Sequence, residues 1–287
     1  MKIVVIVGPT GVGKTKLSIE LAKYLNAVIL NGDSMQVYRG LDIGTAKIKE
    51  DEKEDIEHFL FDIVNVEDNY TIYDYQRAGR KLLDKFKQDN RNVIIVGGSG
   101  LYLKSLLYDY QFNEEEKLDN FDNLTNEELL AEIKKEHDTN IHINNRKRLV
   151  RELNKIRNNS LLKSDIHKPL YEFITIGLTC ERDKLYDIVN KRVDLMFEEG
   201  LVNEVKSFYD KNICSKAIMT GIGYKELYEY FDGKISLEEA KELIKKNTRH
   251  FIKRQYTFFN HQMNVTWINT NFDNFRTTIA EAIKVIE

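Results

Sequence analysis

The sequence predicts an α/β protein: a parallel β-sheet flanked by helices, carrying a helical insertion. Three observations carry this. Short apolar runs end in glycine-rich or polar turns. Segments with helical spacing alternate with those runs. One long charged stretch lacks any apolar strand run. Strand–helix alternation builds a parallel sheet covered on both faces, with loops at the carboxyl ends of the strands forming the binding crevice.

Element by element, Ile3–Val7 reads as a buried strand, and Lys14–Leu25 as a helix with Leu17, Leu21 and Leu25 on one face. AVILNGD (Ala27 to Asp33) is a second strand ending in a polar loop. Tyr73 to Phe86 is helical and capped by Thr71, and NVIIVGGSG (Asn92 to Gly100) is a third strand that meets glycines. Residues 112–170 read as charged helices, with a capping box at TNEE (Thr125 to Glu128). EFITIGLT (Glu172 to Thr179) returns to strand. Helices follow over Arg182–Glu199, Val202–Tyr209, Tyr224–Tyr230 and Leu237–His261, the last capped by SLEE from Ser236. VTWI (Val265 to Ile268) closes the sheet before a C-terminal helix. The expected division is a core of residues 1–110 and 171–287, and an insertion of residues 111–170.

Composition bounds the function. The chain has 287 residues, 42% hydrophobic and 31% charged, enough for a large α/β domain with an insertion. No apolar run approaches the roughly 20 residues that span a bilayer, and the first apolar stretch runs straight into a glycine loop, so neither a membrane span nor a signal peptide is expected. Cys180 and Cys214 lack a CxxC or a paired histidine and read as inert thiols of a reducing cytoplasm. The net charge of −3 does not announce a nucleic-acid partner. The basic runs Asn145 to Arg157 and Lys241 to Arg254 fit either RNA-facing surfaces or solvated helix faces.

GPTGVGKT matches the phosphate-binding pattern G-x-x-x-x-G-K-[ST], after a strand and before a helix, so the sheet is P-loop NTPase-like. Residues Gly8, Pro9, Thr10, Gly11, Val12, Gly13, Lys14 and Thr15 are the expected phosphate binders. Backbone N–H groups and the helix N-terminus surround the anion, Lys14 adds a charge, and Thr15 is the expected Mg²⁺ ligand. The loop alone leaves the chemistry open. VIIVGGSG ends without the acid that completes a Walker-type ATPase, whereas AVILNGD ends beside Asp33. An Asp there takes a proton either from the alcohol of a kinase substrate or from another nucleophile.

The polar segment after Asp33 is more specific. DSMQVYRGLDIGTAK (Asp33 to Lys47), VGGSGLYLKSLL (Val96 to Leu107), IHINNRKRLVREL (Ile141 to Leu153), LTCERDKLYDIVNKRVDLMFEEGLVNEV (Leu178 to Val205), GIGYKEL (Gly221 to Leu227) and TRHFIKRQYTFF (Thr248 to Phe259) follow the phosphate loop in order. Together they resemble the tRNA dimethylallyltransferases, or tRNA isopentenyltransferases, over nearly the whole chain. The resemblance implies transfer of a dimethylallyl group from dimethylallyl diphosphate to N6 of the adenosine 3′-adjacent to the anticodon, with release of diphosphate. Asp33 is then the general base, and Arg192 joins Lys14, Thr15 and Mg²⁺ at the leaving diphosphate, with Arg182 as second candidate. Asp33, Ser34, Met35, Gln36, Ser99 and the segment Lys147, Arg148, Leu149, Val150, Arg151 are the implied tRNA contacts. Tyr73, Tyr75, Tyr102 and Tyr224 fit core better than base stacking.

Some positions depart from the family pattern. Asn145 replaces an acid in IHINN, the usual proline there is gone, and Thr220 stands where many members carry glutamine or arginine. Residues Glu114–Asp122 lack the arginine-bearing pattern and receive no RNA contact. The zinc-finger extension of some eukaryotic members is not expected. The resulting expectation is a cytoplasmic monomer with the tRNA anticodon loop and dimethylallyl diphosphate as partners, no membrane, and no obligate protein partner. ATP is chemically compatible with the same loop. A small-molecule kinase, an isopentenyltransferase acting on free adenine nucleotides, and a non-catalytic RNA-binding protein are the alternatives.

Overall fold

A computed structural model describes residues 1–112, 119–158 and 166–287. It divides into two compact units, residues 1–108 with 169–287, and residues 109–168. The first unit begins with β1 (Ile3–Val7), α1 (Lys14–Leu25) and β2 (Ala27–Asn31). A 3₁₀ turn at Glu50–Glu52 leads to the two-residue β3 (His58–Phe59). Then come α2 (Ile72–Gln88), β4 (Asn92–Val96) and α3 (Gly100–Leu107). The second unit holds α4 (Asn126–Glu136) and α5 (Arg146–Arg157). After it follow β5 (Ile174–Thr179), α6 (Arg182–Glu198), α7 (Leu201–Tyr209), α8 (Lys216–Thr220) and α9 (Tyr224–Phe231). The chain closes with α10 (Leu237–Gln262), β6 (Thr266–Asn269) and α11 (Phe275–Ile286).

The six strands form one sheet in the order β3-β2-β4-β1-β5-β6, and every described pairing is parallel. All residues of β1 and β2 are buried, which explains why both read as unbroken apolar runs. The period of two is still visible in what each residue touches. Val5 and Val7 join one core with Val28, Leu30, Val93 and Ile95, while Val4 and Ile6 join the opposite core with Ile29, Ile94, Ile176 and Leu178. A helix layer therefore covers each face of the sheet.

Register sets up the site. Asn31 and Ile6 both pair with Val96, and Val7 pairs with Gly177, so β1, β2, β4 and β5 end level with one another. Two glycines permit the loops beyond those ends to touch. Gly8 sits at φ +133°, and a Cβ there would lie 2.4 Å from the Leu178 carbonyl oxygen. A Cβ on Gly97 would lie 2.1 Å from the backbone carbon of Gly32. Gly32 N–H donates to Val96 O at 2.8 Å, and Gly97 N–H to Ile6 O at 3.1 Å. The turns after β2 and β4 are thus in backbone contact.

The helix signals in the sequence hold at their caps. The Thr71, Thr125 and Ser236 side chains accept from the N–H of the residue three positions on, each in a capping box. The sequence expectation lacked β3 and α8. β3 follows a polar stretch, and only its pairing with β2, Ile29 with His58 and Leu30 with Phe59, makes it a strand.

The second unit has its own small core of Phe121, Leu129, Ile133, Leu149 and Leu153. Buried Asn154 donates to Asp119 O at 2.8 Å and accepts from Asp119 N–H at 2.9 Å. Arg146 donates to the carbonyls of Leu124 and Phe121 at 2.8 and 2.7 Å. Within the expected insertion of residues 111–170, residues 113–118 and 159–165 lie outside the described residues, as does most of Glu114–Asp122. No helix among the described residues is long and apolar enough to cross a membrane.

Gly97→Ala tests the loop contact. Its Cβ meets backbone rather than a movable side chain, so the variant should lose about 3 kcal/mol of unfolding free energy, read from its urea midpoint. A midpoint equal to that of the parent protein contradicts the described contact.

Candidate active site

The level strand ends open into a cavity of about 930 Å³. Thr10, Gly11, Gly13, Lys14 and Thr15 of the phosphate loop line one side of it. Gly8, Pro9 and Val12, the other expected binders, lie behind that wall. Val12 is fully buried in the core, and its carbonyl accepts from the Thr270 hydroxyl at 2.9 Å. Lys14 Nζ donates to Pro9 O at 2.7 Å, which folds the side chain back over its own loop. Thr15 is exposed in the first turn of α1.

Asp33, Ser34, Met35 and Gln36 form the neighbouring wall. Asn31, fully buried at the end of β2, sets this turn. Its Oδ1 accepts from Asp33 N–H at 2.8 Å, and its Nδ2 donates to the carbonyls of Asp33 and Leu60 at 3.0 and 2.9 Å. The Asn31 carbonyl accepts from the Tyr75 hydroxyl at 2.8 Å. Asp33 Oδ1 accepts from Met35 N–H at 2.9 Å. Ser99 is bound to the same turn, its Oγ accepting from Ser34 N–H at 2.9 Å and donating to Ser34 Oγ at 3.0 Å. Gln36 Nε2 donates to Thr45 O at 3.0 Å, so its amide group holds a neighbouring loop and keeps its oxygen and second N–H for a ligand.

Arg192, projecting from α6, also lines the cavity. Its Nε is buried without a hydrogen-bond partner among the described residues. Arg182, the second candidate, lies elsewhere: it borders a separate hollow with Cys180 and Tyr256, and its Nε donates to the Tyr186 hydroxyl at 3.1 Å. The structure therefore separates two arginines that sequence left as rivals.

The cavity carries both signs of charge, with Lys14 and Arg192 beside Asp33, Glu52 and Glu199. Burial, the largest cause, and the neighbouring Arg192 lower the pKa of Lys14 against the pull of Asp33, to about 8 in all. Neither cation has a carboxylate within ion-pairing distance among the described residues. Two cations that repel each other in one partly dry cavity favour a polyanion between them. Asp33 is driven the other way. Burial holds its carboxyl above the ordinary value of 3.8, against the pull of the Met35 amide and Lys14. A carboxylate of raised proton affinity beside an anion cradle is suited to take a proton from a neutral nucleophile.

Gln255, on α10, is a wall residue that sequence reading did not single out. It is 5% exposed, its Nε2 donates to Gly98 O at 3.1 Å, and its Oε1 is buried without a hydrogen-bond partner among the described residues. A glutamine on the buried side of a helix was the available signal. Among the tyrosines, Tyr75, Tyr102 and Tyr224 are core residues, Tyr75 stacking on Tyr102 at 4.2 Å, whereas Tyr73 is exposed.

The expected RNA segment lies on α5 of the second unit. Lys147, Arg148 and Arg151 are exposed and Val150 is half-buried. Leu149 is a correction: its side chain is fully buried in that unit's core, as the apolar side of an amphipathic helix must be, and presents no surface to RNA. Among the described residues no group of three His, Cys, Asp or Glu side chains gathers as a metal cage.

The IPP transferase family model matches residues 36–262. A tRNA dimethylallyltransferase of Anoxybacillus flavithermus is 42% identical over all of this chain and 96% of its own length. One of Bacillus subtilis is 44% identical over 93% of this chain and 90% of its own. The crystal structure of a tRNA isopentenylpyrophosphate transferase from Staphylococcus epidermidis superposes with a TM-score of 0.76 at 37% identity, covering 100% of this chain and 99% of that one. That of a eukaryotic dimethylallyltransferase acting on tRNA gives 0.78 at 25% identity, covering 99% of this chain and 79% of that one. With its P-loop-like parallel sheet and the phosphate loop, Asp33 and Arg192 around one cavity, the chain belongs to the IPP transferase family.

Proposed function

We propose that the protein transfers a dimethylallyl group from dimethylallyl diphosphate to N6 of the adenosine 3′-adjacent to the anticodon of tRNA. The observation that carries this reading is the pairing of Lys14 and Arg192, unpaired with any carboxylate among the described residues, with Asp33 in one cavity. The cations suit a diphosphate. Asp33 suits an amine that must lose a proton. The relatives' names point to the same reaction, and they support a tRNA substrate.

In this reading N6 of a flipped-out adenine attacks the allylic carbon, the carbon–oxygen bond breaks, and its electrons leave with diphosphate. The N6 proton passes to Asp33. An exocyclic amine is a poor nucleophile because its lone pair is delocalised into the ring, so removing the proton as the bond forms lowers the barrier. Phosphate-loop amides, Lys14 and Arg192 stabilise the charge gathering on diphosphate, each strong donor contributing about 3 kcal/mol. The exposed Thr15 hydroxyl is the hard oxygen ligand that suits Mg²⁺, which would take its remaining ligands from diphosphate and water. Such an ion would neutralise charge on the leaving group. Ser34, Met35, Gln36 and Ser99 frame the side of the cavity where the base would enter, and Lys147, Arg148 and Arg151 offer phosphate contacts of the kind that position RNA. A cytoplasmic location goes with tRNA as substrate.

The test is transfer of label from dimethylallyl diphosphate to unmodified tRNA. Asp33→Asn should lower kcat by about 10²–10⁴ while tRNA still binds, measured by filter retention. A variant with parental turnover removes Asp33 from the role of base.

The acid limb of the pH profile follows from the same carboxyl. Only the deprotonated form accepts the N6 proton, and burial holds Asp33 above 3.8. kcat/KM for tRNA should therefore begin to fall at a higher pH than an ordinary aspartate would give, and drop as pH decreases through that point. An acid limb at or below the ordinary carboxylate value contradicts the assignment.

A further inference from the structure

Three segments shared with the family have no role in the chemistry above: GLDIGTAK, GLVNEV and GIGYKEL. They meet at one carboxylate. Glu204, on α7, accepts from three consecutive backbone amides of the loop after β2: Asp42 N–H at 3.1 Å, Ile43 N–H at 2.7 Å and Gly44 N–H at 3.1 Å. It also accepts from the hydroxyl of Tyr224, on α9, at 2.6 Å. Tyr224 is fully buried, and its ring lies against Gly44 so closely that a Cβ there would be 2.7 Å away. Gly44 and Tyr224 both line the cavity.

The loop held in this way reaches the site by a short path. Gln36 Nε2 donates to Thr45 O at 3.0 Å, beside the clamped amides. Lys47, its side chain 5% exposed, closes the other end by donating to Tyr38 O at 2.8 Å and pairing with Asp42 and Asp62 at 2.6 Å each. Thr45, Ala46 and Lys47 line the cavity beside Asp33–Gln36. The phosphate loop contributes nothing to this network.

We propose that Glu204 is a positioning residue for the nucleobase side of the cavity: it clamps loop 42–47, and through Thr45 it holds Gln36 where the incoming adenine is to be recognised. The proposal rests on the transferase reading above. Four donors converge on one carboxylate, and only a group that accepts at both oxygens satisfies them. An amide in its place would turn an N–H towards a backbone N–H or towards the Tyr224 hydroxyl. Unmade bonds of this kind free the loop without emptying the core.

Glu204→Gln is therefore the test, read beside Tyr224→Phe, which removes one donor only. The parent protein is assayed first with labelled dimethylallyl diphosphate and unmodified tRNA. If it transfers no label, the transferase reading fails, and hydrogen exchange still decides the clamp. In Glu204→Gln, the amides of residues 42–44 should exchange faster, while inorganic diphosphate binds within about twofold of the parent by calorimetry. kcat/KM for tRNA should fall about tenfold or more, mainly through KM. Tyr224→Phe should shift the same quantities in the same direction by less. Unchanged exchange at 42–44, or unchanged tRNA kinetics in a parent that transfers label, overturns the proposal. So does a parallel loss of diphosphate affinity, tRNA affinity and melting temperature, since that is the mark of a role in folding alone.

Discussion

Two positive charges share one cavity with no carboxylate in direct ion-pair contact among the described residues, and the loops at the strand ends hold them there. Lys14 is folded over the phosphate loop onto the Pro9 carbonyl, and Arg192 reaches in from α6 with its Nε buried and unpartnered among the described residues. Burial lowers the hold of both on their protons, Arg192 lowers that of Lys14 further, and nearby carboxylates pull back, Asp33 on Lys14 and Glu199 and Glu52 on Arg192. Surface ion pairs, such as Lys206 with Asp210, relax such strain locally and contribute about 1 kcal/mol or less. Here the neighbouring carboxylates act without a direct ion pair among the described residues, and the proposed diphosphate would supply the closer negative charge.

Holding the charges in place is a problem of backbone geometry. β1, β2, β4 and β5 end level, so their loops must pass within van der Waals contact, and the glycines at 8, 32 and 97 remove the side chains that would collide. Asn31 then satisfies the sharp turn into Asp33 with its own side chain. Ser99 ties the turn after β4 to the turn after β2. The result is a rim in which Asp33, a pair of cations and the neighbouring polar groups are placed by elements far apart in sequence.

Where local physics decides the structure, the sequence was readable. Ile3–Val7 and Lys14–Leu25 have the limits that their pattern predicts, and the helices begin where Thr71, Thr125 and Ser236 cap them. The phosphate loop and Asp33 were legible because strand–loop–helix spacing places them at one edge. What was not legible depends on tertiary contact. β3 is a strand only because β2 lies beside it. Arg182 and Arg192 sit on one helix, and periodicity alone could not say which faces the cavity. Leu149 falls inside a basic run, where charge masked its apolar side. Glu204 and Gln255 act on loops more than 150 residues away, so no spacing within the chain reveals them.

The account stands on the cation pair acting together on diphosphate. Calorimetric titration of inorganic diphosphate into the parent protein, Lys14→Ala, Arg192→Ala and the double variant measures this as a thermodynamic cycle. The account predicts that each single substitution weakens binding about tenfold or more, and that the second costs less once the first is made, because a lone cation no longer has a repelling neighbour to be relieved of. Undiminished affinity in either single variant would contradict it.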